Sequence, residues 1–269
     1  MLAKKQEVMA DLFDGHIIEV RVDGKVGALA VLSDIHQGLN DRAMLQKSVD
    51  FLLKLGENVK VIVGGDCTNS NTRASKGCPT EEWVSGDGQV QALVDDIMPL
   101  KETGQLVGII SGNHTDRVKK DTFINVEMMV ACLLGDKSLY KGSQAICYFN
   151  VNKNLYVHYL MHRGMKKEHN YDYFNADVTW LEHYHKPSCK SKIIVDHNKY
   201  VKKPVVRECW DIFNGSFQGY PEYAKRAGYR PYLPGFYVVE MGGDSNGKWC
   251  KPTLDHHLYH SFKNGYRIS

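Results

Sequence analysis

The sequence contains no cysteine pair with metal-binding or redox spacing. Its seven cysteines include no Cys-x-x-Cys, and an odd number of thiols cannot all pair in disulfides. This argues against a disulfide framework and against a thiolate zinc site. Free thiols in a reducing cytosol are the simplest interpretation, so we expect a cytoplasmic protein.

The sequence also lacks a long apolar run. Its opening residues contain no continuous hydrophobic stretch, and the most apolar later segment, 123–134, is interrupted by Asn125 and Glu127. We therefore expect neither export nor a membrane span. A strong excess of one charge is absent as well, because the formal net charge is +3 and the isoelectric point is about 8.3. Net charge alone therefore does not identify a nucleic-acid binder.

The composition is that of an ordinary globular chain. Of 269 residues, 43% are hydrophobic and 24% are charged, which allows a sizeable core and argues against disorder. There is no internal repeat, low-complexity tract or convincing linker. We predict a single domain spanning 1–269.

The first half of the sequence alternates between strand and helix patterns. Apolar runs at 17–22 and 26–32 flank Asp23-Gly24, which predicts a β-hairpin. A helical pattern at 41–55 and an apolar run at 59–63 then predict a βαβ unit. The pattern recurs with a helix at 89–100, a strand at 105–110 and a helix at 123–134. This order predicts a largely parallel sheet.

The second half reads mainly as strands. They are predicted at 144–151, 154–162, 176–181, 192–195, 199–206, 208–213 and 235–240, and they indicate a second, more antiparallel sheet. The longest irregular stretch is 67–88, and loops of this length in compact domains are often functional.

Five polar clusters follow predicted strands. A lone histidine in an apolar strand is usually a core residue, and an aspartate after a strand is usually a cap or turn, so each cluster is weak evidence alone. Their shared position is more informative, because open α/β sheets gather ligands at the carboxyl ends of their strands. The clusters are Asp34-x-His36, Gly65-Asp66, Gly112-Asn113-His114, His162-Arg163-Gly164 and His183-x-His185.

This set of side chains suits two divalent cations. Two such ions can share a carboxylate, hold a bridging hydroxide and clamp phosphate oxygens during in-line attack. Asp34 and Asp66 against two cations would leave a positive site after one hydroxide binds, which suits a phosphate. Mixed nitrogen and oxygen ligands without thiolate suit manganese, iron, cobalt, nickel or zinc better than calcium or magnesium. The ligand type alone does not select one of these metals, and manganese is our first expectation.

The order DxH, GD, GNH, H, HxH resembles the calcineurin-like metallophosphoesterase superfamily. The resemblance covers roughly 28–186 and implies an α/β fold, a four-layer αββα sandwich of two mixed sheets flanked by helices, with 187–269 completing the second sheet. It implies one metal held by Asp34, His36 and His185. It implies a second metal held by Asn113, His162 and His183, with Asp66 as the bridge.

The same resemblance implies that His114 is catalytic and not a ligand. A positioned imidazole there would act as an acid or a charge stabiliser for the leaving group. The sequence departs from the family pattern at Thr115, where an acidic residue usually follows GNH, at Arg163, where His-Gly is common, and at Glu182, which replaces a glycine. In an extended strand, His183 and His185 would still face one side.

His158 competes with His162, because both lie on one face of the same predicted strand. We favour His162, at the strand end, as the ligand and His158 as a core histidine. The segment from Asn214 to Pro231 resembles one in small bacterial and phage-encoded members of the superfamily, in its nuclease-like branch. It is also consistent with a loop that closes the second sheet.

The leading hypothesis is a two-metal phosphodiesterase that acts on nucleic acid, DNA or RNA, or on nucleotides. The alternatives are a small-molecule phosphomonoesterase and a catalytically inactive metal-binding scaffold; a binder of nucleic acid without enzymatic activity would need no paired metal ligands. The sequence does not indicate an oligomeric state. Basic residues in the expected active-site loops are candidates for binding substrate phosphates, although a solvated basic surface is an equal alternative: Arg73, Arg117, Lys119, Arg163 and Lys166.

Overall fold

The computed structural model describes residues 16–72, 75, 77, 79–162, 175–198, 203–232, 234–244 and 247–263. The strands of this part of the chain are β1 (Ile17–Val22), β2 (Val26–Leu32), β3 (Val59–Val63), β4 (Leu106–Ile109), β5 (Gln144–Val151), β6 (Asn154–Met161), β7 (Val178–Leu181), β8 (Ser188–Asn198), β9 (Lys203–Phe213), β10 (Tyr237–Asp244) and β11 (Gly247–Leu254). Its α-helices are α1 (Arg42–Leu55), α2 (Gly86–Glu102), α3 (Asn113–Thr122), α4 (Val126–Leu133), α5 (Glu222–Arg226) and α6 (Asp255–Lys263).

These strands form two mixed sheets. The five-stranded sheet has the order β11-β10-β2-β3-β4, and β2, β3 and β4 run parallel. The six-stranded sheet has the order β1-β5-β6-β7-β9-β8. The predicted α/β fold with two mixed sheets flanked by helices is confirmed, as is the βαβ unit formed by β2, α1 and β3.

The alternation of side chains along β2 explains the layering. Ala28, Ala30 and Leu32 face a core shared with α1, α2 and α4, whereas Leu29 and Val31 face a core between the two sheets. Both faces of β2 are therefore buried, as expected for a central strand of a sheet covered on both sides. A smaller apolar cluster lies on the other face of the six-stranded sheet.

The predicted hairpin between β1 and β2 is wrong. β1 pairs with β5 in the six-stranded sheet, and β2 lies between β10 and β3 in the other sheet. The Asp23-Gly24 turn therefore carries the chain from one sheet to the other. The physical reason is burial: β1 buries one face only, but β2 buries nearly every residue and needs a neighbour on each side.

Other differences concern polar segments. The three strands predicted between 192 and 213 form one long hairpin of β8 and β9. Strand β11 and helices α3, α5 and α6 were not predicted. Within α3 only Thr115 is buried, so the apolar periodicity that identifies a helix is missing there. No helix among the described residues is long and apolar enough to cross a membrane.

Candidate metal centre

The site lies where the segments after β2 and β3 run side by side. The Asp34 N–H donates to the Gly65 carbonyl at 2.9 Å, and the His36 N–H donates to the Asp66 carbonyl at 2.9 Å. These bonds extend the parallel pairing of the two strands beyond their ends. Two acidic side chains that are 32 residues apart in the sequence are thereby fixed at one edge of the sheet.

Two glycines let this backbone pass close to its neighbours. A Cβ on Gly65 would overlap the His162 ring, and a Cβ on Gly112 would overlap the backbone nitrogen and carboxylate of Asp66. Only glycine leaves this space open. The glycines of the second and third motifs therefore serve the close approach of ligand side chains.

Each of the two carboxylates has one satisfied and one unsatisfied oxygen. Asp34 Oδ2 accepts the His183 N–H at 3.0 Å, and Asp66 Oδ1 accepts the His114 N–H at 2.7 Å. The other oxygens, Asp34 Oδ1 and Asp66 Oδ2, are buried and have no hydrogen-bond partner in the described part of the chain. The backbone therefore fixes each carboxylate and leaves one oxygen free for a ligand.

Imidazoles surround these two free oxygens. Asp34 Oδ1 lies 3.2 Å from His185 Nε2 and 3.5 Å from His162 Nε2. Asp66 Oδ2 lies 3.3 Å from His162 Nε2. The Nε2 atoms of His36 and His185 are 3.2 Å apart. Several nitrogen lone pairs and two carboxylate oxygens thus point at the same small volume.

These side chains form two groups with the spacing of metal ligands. One group is Asp34, His36 and His185, and the other is Asp66, His162 and His183; within each group the ligand atoms lie within 4.8 Å of one another. The structure brings together the six carboxylate and imidazole ligands that the sequence predicts, in the predicted division. Their ligation of metal remains a prediction.

Unpaired side-chain atoms, including one of Asn113, indicate whether a cation fits the site. Asn113 Oδ1, His162 Nε2 and His183 Nδ1 are buried without a hydrogen-bond partner, as are the two carboxylate oxygens. Leaving such atoms unpaired costs about 1–3 kcal/mol each. Five of the seven predicted ligands carry an atom of this kind, and carboxylate, amide oxygen and imidazole are ligands that divalent transition metals accept. The residues present therefore fit a pair of divalent cations.

The backbone at these ligands is held in an uncommon conformation. Asp34, His36, Asp66, His183 and His185 all have positive φ, between 50° and 80°. Such residues cost about 1–3 kcal/mol each and persist where the surrounding structure fixes them, often at functional sites. Five ligand candidates among the eight non-glycine residues of this kind in the described chain mark the site independently of side-chain chemistry.

The electrostatics of the group match a site that holds positive charge. Burial opposes ionisation of Asp34, but the neighbouring His185 and His162 hold the pKa of its carboxyl well below the ordinary value. Burial likewise opposes protonation of His162, but Asp66 and Asp34 raise its pKa well above the ordinary value. Burial, His114 and His185 lower the pKa of His36, which therefore stays neutral. The two carboxylates thus attract a cation in this volume.

His183 and His185 do not lie in a strand, so the expectation that an extended strand aligns them is wrong. β7 ends at Leu181, and both histidines adopt left-handed backbone conformations that send them to different groups. Glu182, in place of the usual glycine, is fully buried, and its Oε2 accepts the Gly65 N–H at 2.6 Å. Burial raises the pKa of Glu182 to about 8. This side chain ties the segment after β7 to the segment after β3.

His158 is a core residue, as the sequence indicated. It is buried in β6, with its Nδ1 accepting the Trp180 Nε1–H at 3.1 Å and its Nε2 lying 3.0 Å from Met241 Sδ. Burial lowers its pKa to about 3. Both ring nitrogens have neighbours in the core, so His158 offers no free ligand atom to the site.

His114 lies at the edge of the two groups. Its Nδ1 donates to the Asn69 carbonyl at 2.7 Å, and its Nε2 lies 3.9 Å from Asp66 Oδ2. A carbonyl can only accept, so the proton on Nδ1 is fixed and Nε2 faces the metal volume. Burial lowers the pKa of His114. Its ring also falls within ligand distance of His36 and Asp66, so ligation and acid catalysis both fit this position.

Asn69 is a functional residue that the sequence analysis missed. Besides holding His114 through its carbonyl, it lies with Oδ1 at 3.3 Å from His36 Nδ1, which leaves His36 Nε2 for a metal. Its own Nδ2 donates to Glu82 Oε1 at 2.6 Å, and Glu82 also accepts the Asn71 N–H. The only sequence signal was its place in the long polar loop 67–88.

Glu127 supplies the buried carboxyl group that the sequence lacks after His114. Thr115 Oγ1 donates to Glu127 Oε1 at 2.5 Å, and the Cys67 thiol lies 3.8 Å from the same oxygen. Both Thr115 and Glu127 are nearly fully buried. Burial raises the pKa of Glu127 to about 7. The carboxyl group thereby joins the helix that carries Asn113 and His114 to the loop that carries Asp66.

The segment after β9 supports the Asp34 loop. Ser216 Oγ and the Phe217 N–H both donate to the Asp34 carbonyl, at 2.8 Å and 3.1 Å. Asn214 Nδ2 donates to the Val31 carbonyl at 2.6 Å. This segment therefore fixes the backbone that presents Asp34 and leads from β9 in the six-stranded sheet to β10 in the five-stranded sheet. The expectation that 187–269 completes the second sheet is wrong for β10 and β11, which pair beside β2.

The candidates for substrate binding are only partly described. Arg73, Arg163 and Lys166 lie outside the described residues. Arg117 follows His114 by one helical turn in α3, and its Nη1 donates to Ser75 Oγ at 3.0 Å. Lys119 is exposed in the same helix but is five positions from His114, which places it on another side. Arg117 is therefore the better placed of the two.

No family model and no curated protein matches the sequence. Solved structures that resemble the fold include Vps29 complexed with Zn²⁺ from Entamoeba histolytica, at 11% identity over 84% of this chain and 98% of that chain with a TM-score of 0.36. Vacuolar protein sorting 29 from Cryptosporidium parvum has 11% identity over 86% and 98%, with a TM-score of 0.38. GAP50, the anchor in the inner membrane complex of Plasmodium, has 8% identity over 85% and 84%, with a TM-score of 0.38. Likenesses at this level carry no inference about activity, which rests on the site alone.

Proposed function

We propose that this chain is a two-metal phosphoesterase of the calcineurin-like metallophosphoesterase superfamily that hydrolyses phosphodiester bonds in nucleic acid or nucleotides. One observation carries the proposal. Buried acceptor atoms without partners converge in two groups around Asp34 and Asp66. A pair of cations would satisfy them together, and paired cations are a common device for cleaving phosphate esters.

The proposed division of roles follows from the donor atoms. Asp34, His36 and His185 would hold one ion, and Asn113, His162 and His183 the other, with Asp66 shared between them. Bound divalent ions would supply Lewis-acid polarisation of the phosphate and activation of water. The nitrogen and oxygen ligands suit manganese, iron, zinc, nickel or cobalt, and manganese is our first candidate. Two carboxylates would leave excess positive charge at the site, which attracts an anionic ester.

His114 would assist departure of the leaving group. Its Nδ1 proton is fixed by the Asn69 carbonyl, so Nε2, which faces Asp66 at the edge of the metal volume, is the atom that would exchange a proton with the substrate. Burial lowers the pKa of His114, so a bound anionic phosphate would have to stabilise the doubly protonated ring. The Nε2 proton would then pass to the leaving oxygen and neutralise the alkoxide as the ester bond breaks.

The chain's thiols suit a reducing compartment, and we propose a cytoplasmic location on that ground. Cys67, Cys147 and Cys209 are buried free thiols. Burial raises the pKa of the Cys147 thiol and so keeps it protonated and unreactive.

Hydrolysis of two matched aryl esters tests the proposal. Chelator-treated protein, resupplied with manganese, should hydrolyse bis(para-nitrophenyl) phosphate faster than para-nitrophenyl phosphate. Asp66→Asn should lose activity by orders of magnitude, because one negative charge is removed from both ions. Asp95→Asn, on the exposed face of α2, is the matched control and should match the native rate. Preference for the monoester would favour a phosphomonoesterase, and no metal-dependent turnover would favour a scaffold.

A further inference from the structure

Arg117 carries two donors that no described residue satisfies. Its Nε and Nη2 are buried and have no hydrogen-bond partner among the described residues, whereas Nη1 donates to Ser75 Oγ. A guanidinium group cannot lose its proton in a protein, so its charge and both donors persist. The unpaired Nε and Nη2 of Arg117 are therefore suited to bind an anionic hydrogen-bond acceptor.

Asn71 adds a third donor in the same part of the site. Its Nδ2 is also buried without a partner. The Thr72 N–H, next in sequence, donates at 2.9 Å to the same Ser75 hydroxyl that receives the Arg117 bond. The loop thus holds the Asn71 region against the guanidinium group through Ser75.

The acidic residues nearby are engaged elsewhere. Glu82 accepts from Asn69 and Asn71, and Glu81 accepts the Glu222 N–H at 3.1 Å. No ion pair to Arg117 occurs within the part of the chain that the structure describes. The charge of Arg117 is therefore not neutralised by a neighbouring carboxylate.

The chemistry of these free atoms is opposite to that of the metal centre. There the unpaired groups include carboxylate and amide oxygens, which bind cations, whereas the unpaired atoms of Arg117 and Asn71 are N–H donors. Arg117 follows His114 by one turn of α3, so the two side chains lie on the same face of that helix. An anion bound by Arg117 would be a neighbour of the ester under attack.

We propose that Arg117 and Asn71 form a second phosphate subsite, which binds a phosphate adjacent to the scissile one and selects substrates with at least two phosphates. This inference rests on the proposed function for the identity of the first phosphate. The second phosphate is the next one in an oligonucleotide backbone or the terminal phosphate of a phosphorylated dinucleotide. Arginine suits it because a planar fork of donors matches phosphate oxygens.

A kinetic comparison tests the subsite. Manganese-loaded protein is assayed with a thymidine dinucleotide bearing one phosphate, the same dinucleotide with a terminal phosphate, and the trinucleotide. We expect kcat/KM to rise about tenfold or more when a second phosphate is present, the gain of charge-assisted hydrogen bonds. Arg117→Gln should bring the ratio close to one. Lys120→Gln, an exposed change in the same helix, should keep the native ratio.

The three substrates identify the source of the second phosphate. A gain with the trinucleotide alone assigns the subsite to a polynucleotide backbone, and a gain with the phosphorylated dinucleotide alone assigns it to a terminal phosphate. Asn71→Asp replaces the donor with a repelling oxygen at nearly constant shape, so it should also lower the ratio. A native ratio near one, or an unchanged ratio in folded Arg117→Gln protein, overturns the proposal.

Binding separates failure of the subsite from failure of the proposed function. Fluorescence anisotropy with a labelled thymidine trinucleotide in chelator needs no catalysis. Arg117→Gln should weaken binding about tenfold, and Lys120→Gln should bind as the native protein does. A protein that hydrolyses no ester but shows this difference would lose the proposed function and keep the subsite. Equal binding by the native protein and Arg117→Gln would refute the subsite.

Discussion

Replacing Glu127 with glutamine should stabilise the fold at mildly alkaline pH and change its stability little in acid. Glu127 is 1% exposed, and its Oε1 accepts a hydrogen bond from Thr115 Oγ1 at 2.5 Å. Glutamine keeps an acceptor oxygen for that bond, because its side-chain carbonyl can take the place of the carboxyl oxygen. The substitution therefore removes the ionisable proton while preserving shape and the principal contact.

The direction of this pH dependence follows from the number of protons that Glu127 binds in the folded and unfolded states. Burial raises the pKa of Glu127 from 4.5 to about 7, so between these values the unfolded chain is ionised while the folded chain keeps its proton. The unfolded state then binds fewer protons, and the free energy of unfolding falls as pH rises through this window. A difference of about 2.5 pH units at 1.36 kcal/mol each gives about 3 kcal/mol as the largest penalty, reached above pH 7. Below pH 4.5 both states are protonated and the penalty vanishes.

Urea unfolding of metal-free native and Glu127→Gln proteins at a series of pH values measures this penalty. The difference in unfolding free energy should grow from near zero at about pH 4 to about 3 kcal/mol in favour of glutamine at about pH 8. Glu102→Gln, an exposed change in α2, is the control for a general charge effect. A difference that is constant with pH, or that favours glutamate at alkaline pH, would refute the assignment of a buried protonated carboxyl group.

Two further predictions concern the imidazoles. His114→Asn should lower the rate of dinucleotide hydrolysis by about a hundredfold to ten-thousandfold, with the metal content unchanged. The rate with para-nitrophenyl esters should fall much less, because a good leaving group needs little protonation. Both rates and the metal content are measured, and equal losses of rate with the two substrates would argue against an acid role. Asn69→Ala should weaken manganese affinity by about tenfold to a hundredfold, because His36 loses the amide oxygen that fixes its ring. Glu82→Gln, which keeps an acceptor for Asn69, should have a smaller effect in the same calorimetric titration, and native affinity in Asn69→Ala would contradict the role.

The central strands and the ligand residues at their ends were predictable because buried strands appear in the sequence as apolar runs that end in polar residues. β2 and β3 are almost continuously apolar, and the polar residue that ends each run, Asp34 or Asp66, is where the chain leaves the core. The parallel βαβ order then places those ends at one edge. Hydrophobic pattern and topology together were sufficient for this part of the site.

The remaining features depend on tertiary contacts that leave no periodic signal. Asn69 acts through a backbone carbonyl and a side-chain amide in an irregular loop, and its partner Glu82 is 13 residues away. A glutamate at position 127 of a helix is expected to face solvent, but Glu127 is buried against Thr115. The left-handed conformations of His183 and His185 are imposed by the surroundings. At the turn between β1 and β2, the local sequence predicts a hairpin that does not form. Burial of both faces of β2 outweighs this local turn preference.

Anomalous diffraction from crystals grown with manganese would locate the bound ions. We expect two anomalous peaks a few ångströms apart, one beside Asp34 Oδ1, His36 and His185, and one beside Asn113, His162 and His183, with Asp66 Oδ2 between them. Isothermal titration of the same protein should give two ions per chain. Peaks at neither group, or a single ion bound elsewhere while Asp34 and Asp66 stay unliganded, would rule out a two-metal site in this protein.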